Sequence, residues 1–301
     1  MHWILIVVIA HALNAVNFVL DKFLLSKAVK DSFVYTFAIG TLGILVLLLI
    51  PFGFEFPGWY LLSVNLITGV FFILALQFFF RSLQMNEASR IVPLIGSAIP
   101  VFTFILSFVF LSERLGRNEI IAFLFLLIGT YIITADPSVK GKKKFSISGL
   151  GIAILAAFSF SISFVLNKYI FETQPFFSGF IWIRIGSFLT VLLMLTKKNR
   201  ISVKHVFTKT SRKIKSLFIA NQFIGACAFL ILSYAISLAS VTLVNALQGV
   251  QYAILLIMAF IVSVKYPKIL SENFTRSILT QKILAILFIG VGLFLLSFYA
   301  A

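Results

Sequence analysis

The sequence predicts an all-α, polytopic membrane protein, and three observations carry that prediction. Hydrophobic residues make up 61% of the 301 positions and charged residues only 11%, where soluble domains are about half apolar and a quarter charged. Mean hydropathy is +1.10. The apolar residues fall in continuous runs of about 20 residues, the length that crosses a bilayer's hydrocarbon core as a helix. The alternating segments of about 10 residues that mark a membrane β-barrel do not occur.

Ten such runs stand near residues 3–20, 32–51, 59–80, 91–111, 119–135, 149–170, 176–196, 216–237, 240–264 and 281–299. Breakers separate them: Pro51, Gly53, Pro57 and Gly58 after the second run, Asp136-Pro137 after the fifth, Pro175 after the sixth and Pro267 after the ninth. The first run has no basic start and no small-residue cleavage pattern, so it reads as a retained span.

The chain is written twice. "NFVLDK" at Asn17–Lys22 recurs as "SFVLNK" at Ser163–Lys168, an offset of 146, and at that offset Phe37-Ala38-Ile39-Gly40-Thr41 meets Ile183-Arg184-Ile185-Gly186-Ser187. A long basic linker lengthens the second copy, and Gly96 then meets Gly249 at an offset of 153. "LSE" at Leu111–Glu113 returns at Leu270–Glu272. The expected organisation is a first five-helix repeat over 1–135, a basic linker over 136–147 and a second repeat over 148–301. Because five is odd, the second copy enters the membrane with opposite topology, the architecture of carriers whose substrate site lies where the repeats meet.

The stretch Arg81–Thr134 carries an Ala-Ser turn before a proline-containing helix, a Leu-Ser-Glu-Arg loop and a glycine-containing last helix. It resembles the repeat of the EamA-like branch of the drug/metabolite transporter superfamily. The second copy departs from the pattern, with Ala246 and Ala253 where the first has Pro93 and Pro100. The resemblance implies a ten-helix carrier in the cell membrane whose spans 1, 3, 4, 6, 8 and 9 line a central cavity. A small polar or zwitterionic metabolite would move through it by alternating access. A flippase for lipid-linked intermediates, with Lys168 and Arg184 meeting a phosphate, and a membrane scaffold are the alternatives.

Loop charge gives the expected orientation. The odd-numbered loops hold 21 basic residues and the opposite side holds only Arg114 and Arg117, so the positive-inside rule places the odd loops in the cytoplasm and both termini outside. The runs "KGKKK" and "KKNRISVKHVFTKTSRKIK" are expected to meet anionic headgroups at about 1 kcal/mol per base. They offer one aromatic, Phe207, for stacking, so no nucleic-acid partner is expected.

Catalytic motifs are absent. Cys227 is the one cysteine, and His2, His11 and His205 stand on separate segments without metal-ligand spacing. No enzyme activity, cofactor or metal is expected, and the sequence fixes no oligomeric state.

Candidate binding residues are the polar side chains within spans, which face the bundle interior or a cavity. In the first span His11, Asn14 and Asn17 project within about 120° of one another, with Asp21 continuing the stripe. In the ninth, Asn245, Gln248 and Tyr252 fall within about 60° of one face. Gln77 in the third span and Arg184 in the seventh complete the expected substrate-binding set, the two stripes facing each other across the cavity. Pro93, Gly96 and Pro100 are the expected hinge of the fourth span. Glu113 and Glu272 are expected to accept hydrogen bonds at the start of the following helix.

Overall fold

The computed structural model describes residues 2–27, 31–85, 88–134, 147–265 and 276–299. The described residues form helices and connecting turns: α1 His2–Lys27, α2 Ser32–Leu42, a 3-10 helix Gly43–Phe52, α3 Trp59–Met85, α4 Ala88–Phe110, α5 Arg117–Thr134, α6 Ile147–Thr173, α7 Phe176–Leu193, α8 Lys197–Lys209, α9 Arg212–Leu238, α10 Val241–Ala246, α11 Gln248–Lys265 and α12 Arg276–Tyr299. The all-helical expectation holds. The linker 136–147, apart from Ile147 where α6 begins, lies outside the described residues, as do Pro267 and Glu272.

Eight described segments are long and apolar enough to cross a membrane: His2–Asp21, Ser32–Phe52, Trp59–Met85, Ile147–Thr173, Phe176–Leu193, Arg212–Leu238, Val241–Met258 and Thr280–Phe298. α4 adds a shorter apolar stretch, Leu94–Phe110. Helix starts are set by side chains that satisfy the first free N–H groups. Asp31 accepts from Phe33 N at 2.9 Å and opens α2, and Ser240 accepts from Leu243 N at 3.1 Å and opens α10.

Two details differ from the sequence reading. The ninth run is interrupted at Leu247, between α10 and α11, where the Val250 N–H bonds the Leu247 carbonyl in a tightened turn. The basic stretch after α7 is not an extended linker but the helix α8, capped by Thr196, with Val203 and Val206 packed beside Leu24, Val34 and Tyr35. Ile201 and Phe207 remain exposed on it.

Much of the core runs between helices of the first and second halves of the chain. α3 packs along α6 and α9 along α1; α4 lies on α6 and α11 on α1; α5 pairs with α12. Along α3 rising residue numbers meet falling ones on α6, from Asn65 with Gln174 to Phe72 with Phe160, so that pair is antiparallel. α3 and α7 cross on bare backbone: a methyl on Gly69 would stand 2.5 Å from the Ile183 carbonyl, and one on Gly186 would stand 2.8 Å from the Leu66 Cα. Small residues let membrane helices approach this closely, where dispersion rather than water drives packing.

Candidate functional site

The polar residues of α1 are satisfied by α9 and α11. Asn17 Nδ2 donates to the Asn221 carbonyl at 2.8 Å and to Asn221 Oδ1 at 3.0 Å. Asn221 Nδ2 in turn donates to Asp21 Oδ1 at 2.5 Å, and the Tyr35 hydroxyl donates to the same oxygen. The Tyr35 ring is fully buried between Phe80 and Phe218, with centroids 4.7 and 5.3 Å away. A carboxylate, a phenol and two amides thus tie α1, α2 and α9 together beside the basic helix α8. Further along α1, His11 is buried with Nδ1 3.4 Å from Gln251 Oε1. Asn14 is half-buried between these two contacts.

The stripe of the ninth run divides at the Leu247 break. Asn245 is buried and donates to the Val241 carbonyl of its own turn at 2.9 Å. Gln248 Nε2 donates to the Tyr252 hydroxyl at 3.3 Å. Tyr252 leans on α4, where its hydroxyl would stand 2.6 Å from a methyl on Gly96. Gln251, rather than Asn245, Gln248 or Tyr252, is the residue that reaches His11. A stripe projected on one continuous helix is not kept once the helix is broken inside it. Gln77 donates to Ser32 Oγ at 3.4 Å, while its Oε1 is buried without a hydrogen-bond partner.

Of the three expected hinge residues, Pro100 is buried within α4, Gly96 receives Tyr252, and the Pro93 side chain is outside what is described. Glu113 does not play its expected capping part. Both of its carboxylate oxygens are buried without a hydrogen bond, and Glu119 takes the place by accepting from Gly116 N at 2.7 Å. α5 begins at Arg117, so an acid in its first turn is the one within reach of the free N–H groups.

Arg184 has a different environment. It stands at the middle of α7, 7% exposed, and its guanidinium carbon lies 4.0 Å from the Phe229 ring centroid on α9, 4.6 Å from Phe72 on α3 and 5.4 Å from Phe180 on α7. Among the described residues Lys168 pairs with Glu172, at 3.3 Å one turn apart on α6, and the Arg184 side chain makes no hydrogen bond. Burying a cation costs several kcal/mol. A desolvated cation–π contact returns about 2 kcal/mol. The rings engage the guanidinium through their faces and leave its five in-plane N–H donors unmatched.

Sequence reasoning missed Asn221, Tyr35, Gln251 and Asn167. Asn167 is 1% exposed, and neither its Nδ2 nor its Oδ1 has a hydrogen-bond partner. Its signal was in the repeated phrase, where Asn167 occupies the place of Asp21. Aromatic partners of Arg184 had no comparable signal among thirty-six phenylalanines.

Against α4 and α5 lies a cleft of about 380 Å³ with walls that include Val101, Phe102, Leu127 and Ile128. Its lining is almost wholly apolar and shares no residue with the polar clusters.

A helical bundle with eight such spans and polar groups gathered inside it is a multi-pass membrane protein. Residues 1–135 match the model of the EamA-like transporter family. A protein of Archaeoglobus fulgidus described as an uncharacterized transporter is 29% identical over 149 residues, or 49% of this chain. The match covers about half, 51%, of that relative's length. A solved structure titled only as the crystal structure of a protein superposes with a TM-score of 0.64 over 97% of this chain and 93% of its own, at 15% identity, which is a likeness of fold.

Proposed function

We propose that the protein is a secondary transporter with ten spans in two inverted halves, moving a small polar or zwitterionic metabolite across the cell membrane by alternating access. One observation carries the reading. Asn17 bonds the Asn221 carbonyl, and Ser163 Oγ donates to the Thr68 carbonyl at 3.4 Å. Positions 17 and 163 differ by 146, and positions 68 and 221 by 153, which are the two offsets at which the sequence repeats. The same contact is therefore made once by each half on the other, as a pseudo-twofold axis demands. The swapped pairs α3 on α6 and α9 on α1 support it.

Rocking about such an axis opens one end while closing the other. The Asn17–Asn221–Asp21–Tyr35 cluster ties α1 to α9 at the basic end, which the charge rule assigns to the cytoplasm. Those contacts would break and re-form in each cycle. The flippase alternative loses one of its two cations, since Lys168 is already paired with Glu172. Anionic lipid headgroups would meet the bases of α8, whose Ile201 and Phe207 face outward beside Lys198 and Arg200.

The test is uptake into liposomes holding purified protein, screened across labelled amino acids, organic acids, sugars and nucleosides. At least one solute is expected to enter saturably. Joining Asn17→Cys to Asn221→Cys in a Cys227→Ala background should stop that uptake, and reductant should restore it. Uptake no greater than that of empty liposomes for every solute, or uptake unaffected by the cross-link, would overturn the proposal.

A further inference from the structure

We propose that Arg184 and the rings around it form the binding site for a small organic anion, an acidic head group on an apolar body. This rests on the carrier reading above, because only in a carrier is the anion a passing solute rather than a fixed counter-ion. The guanidinium is buried at the middle of α7 and enclosed on its faces by Phe72, Phe180 and Phe229. Those residues come from α3, α7 and α9, so both halves of the chain build the enclosure. No carboxylate or carbonyl among the described residues answers its N–H donors. A fixed structural arginine would have such a partner, because intramembrane charges pair with one another or with backbone carbonyls.

The α3–α6 pair of helices carries a second unpartnered polar group. Asn167 is buried with its amide oxygen and nitrogen both unpartnered. It lies one turn from Ser163, which bonds the Thr68 carbonyl, and Thr68 is one turn from Phe72 on α3. On the antiparallel α3–α6 seam this orphan amide lies beyond Ser163, about two turns along α6 from Phe160, the ring that meets Phe72. Phe72 also meets Phe160 of α6 and Phe229 of α9, with centroids 6.4 and 4.9 Å apart. A carboxylate, sulfonate or phosphate monoester head would take the in-plane donors of Arg184, for which the planar fork is suited. The apolar remainder would lie on the Phe72–Phe160–Phe229 wall. This narrows the substrate from any polar metabolite to one with an acidic group and a hydrophobic part, and disfavours simple cations and sugars.

The experiment is thermal unfolding of the full-length protein in neutral detergent with three probes of one shape: phenylacetate, its neutral isostere phenylacetamide, and 2-phenylethylammonium. Phosphatidylglycerol is a fourth, since a lipid phosphate offers the same chemistry. Phenylacetate is expected to raise Tm, because a ligand of the folded state alone stabilises it, while the amide and the ammonium leave it unchanged. Arg184→Gln should weaken the response to phenylacetate by about tenfold or more, the loss expected for a charged hydrogen-bond partner, and Arg184→Lys should keep part of it. Asn167→Ala should weaken it less. Equal shifts from anion and amide, no shift from phenylacetate, or an unchanged anion response in Arg184→Gln would overturn the site. If Arg184→Gln does not fold, the comparison of anion with amide on the natural chain decides. Stabilisation by phosphatidylglycerol without any by phenylacetate would overturn the soluble anion in favour of a lipid phosphate. The two proposals fail separately. Anion binding with no solute uptake removes the carrier and keeps the site, and uptake of a solute indifferent to Arg184→Gln keeps the carrier and removes the site.

Discussion

At the scale of single residues, the cluster around Asp21 shows how much depends on one amide. Asn221 accepts from Asn17 and donates to Asp21, so replacing it leaves a carboxylate and an amide short of partners at once. Asn221→Ala is expected to cost about 1–3 kcal/mol, the penalty for an unsatisfied buried polar group, and to lower Tm visibly in detergent. Asn245→Ala removes a side chain that bonds only its own helix and should lower it much less. Equal losses in the two variants would show that the cluster is not the bond between α1 and α9. Asn17 was legible in the sequence because it stood in a span. Asp21 was legible as the continuation of the same stripe, and α1 runs on to Lys27 and carries it well inside the helix, whereas Tyr35 stood in the second run with nothing to mark its part. A residue's partner across the bundle is set by helix packing, of which a single sequence holds no trace.

At the scale of elements, helix existence was legible and helix continuity was not. Apolar length predicted the eight described segments long enough to cross a membrane, but the break at Leu247 has no proline or glycine at the break itself to announce it. α8 was hidden by its charge, since its helical pattern lies in Val203 and Val206 facing inward, not in mean hydropathy. The crossing of α3 with α7 makes a testable element-level statement. Gly186 sits on the Leu66 backbone, while Gly151 on α6 has open space around its Cα. Gly186→Ala should push the helices apart, lowering Tm and the yield of folded protein, despite alanine's advantage of about 1 kcal/mol over glycine in a helix. Gly151→Ala should show that advantage as unchanged or raised stability. A Gly186→Ala protein as stable as its parent would mean that the crossing is not close.

At the scale of the whole molecule, the claim that organises the rest is that the two halves are inverted copies. The proposed repeat rests on two offsets, 146 and 153, that line up residues in the sequence and one contact from each half onto the other. The enclosure of Arg184 was not legible in the sequence, because two of its three rings, Phe72 and Phe229, stand on helices distant in sequence. Inversion is tested most directly by single cysteines in a Cys227→Ala background, labelled in intact cells by a membrane-impermeant maleimide. Glu55, between the second and third spans, and Arg114, between the fourth and fifth, should label from outside. Arg81, in the last turns of α3, and Lys198, on α8 between the seventh and eighth spans, should label only after the membrane is permeabilised. That pattern places ten spans with the basic loops inside and the halves opposed. Glu55 and Lys198 labelling from the same side would contradict inversion, and Arg114 sharing the side of Arg81 would contradict the crossing of α4.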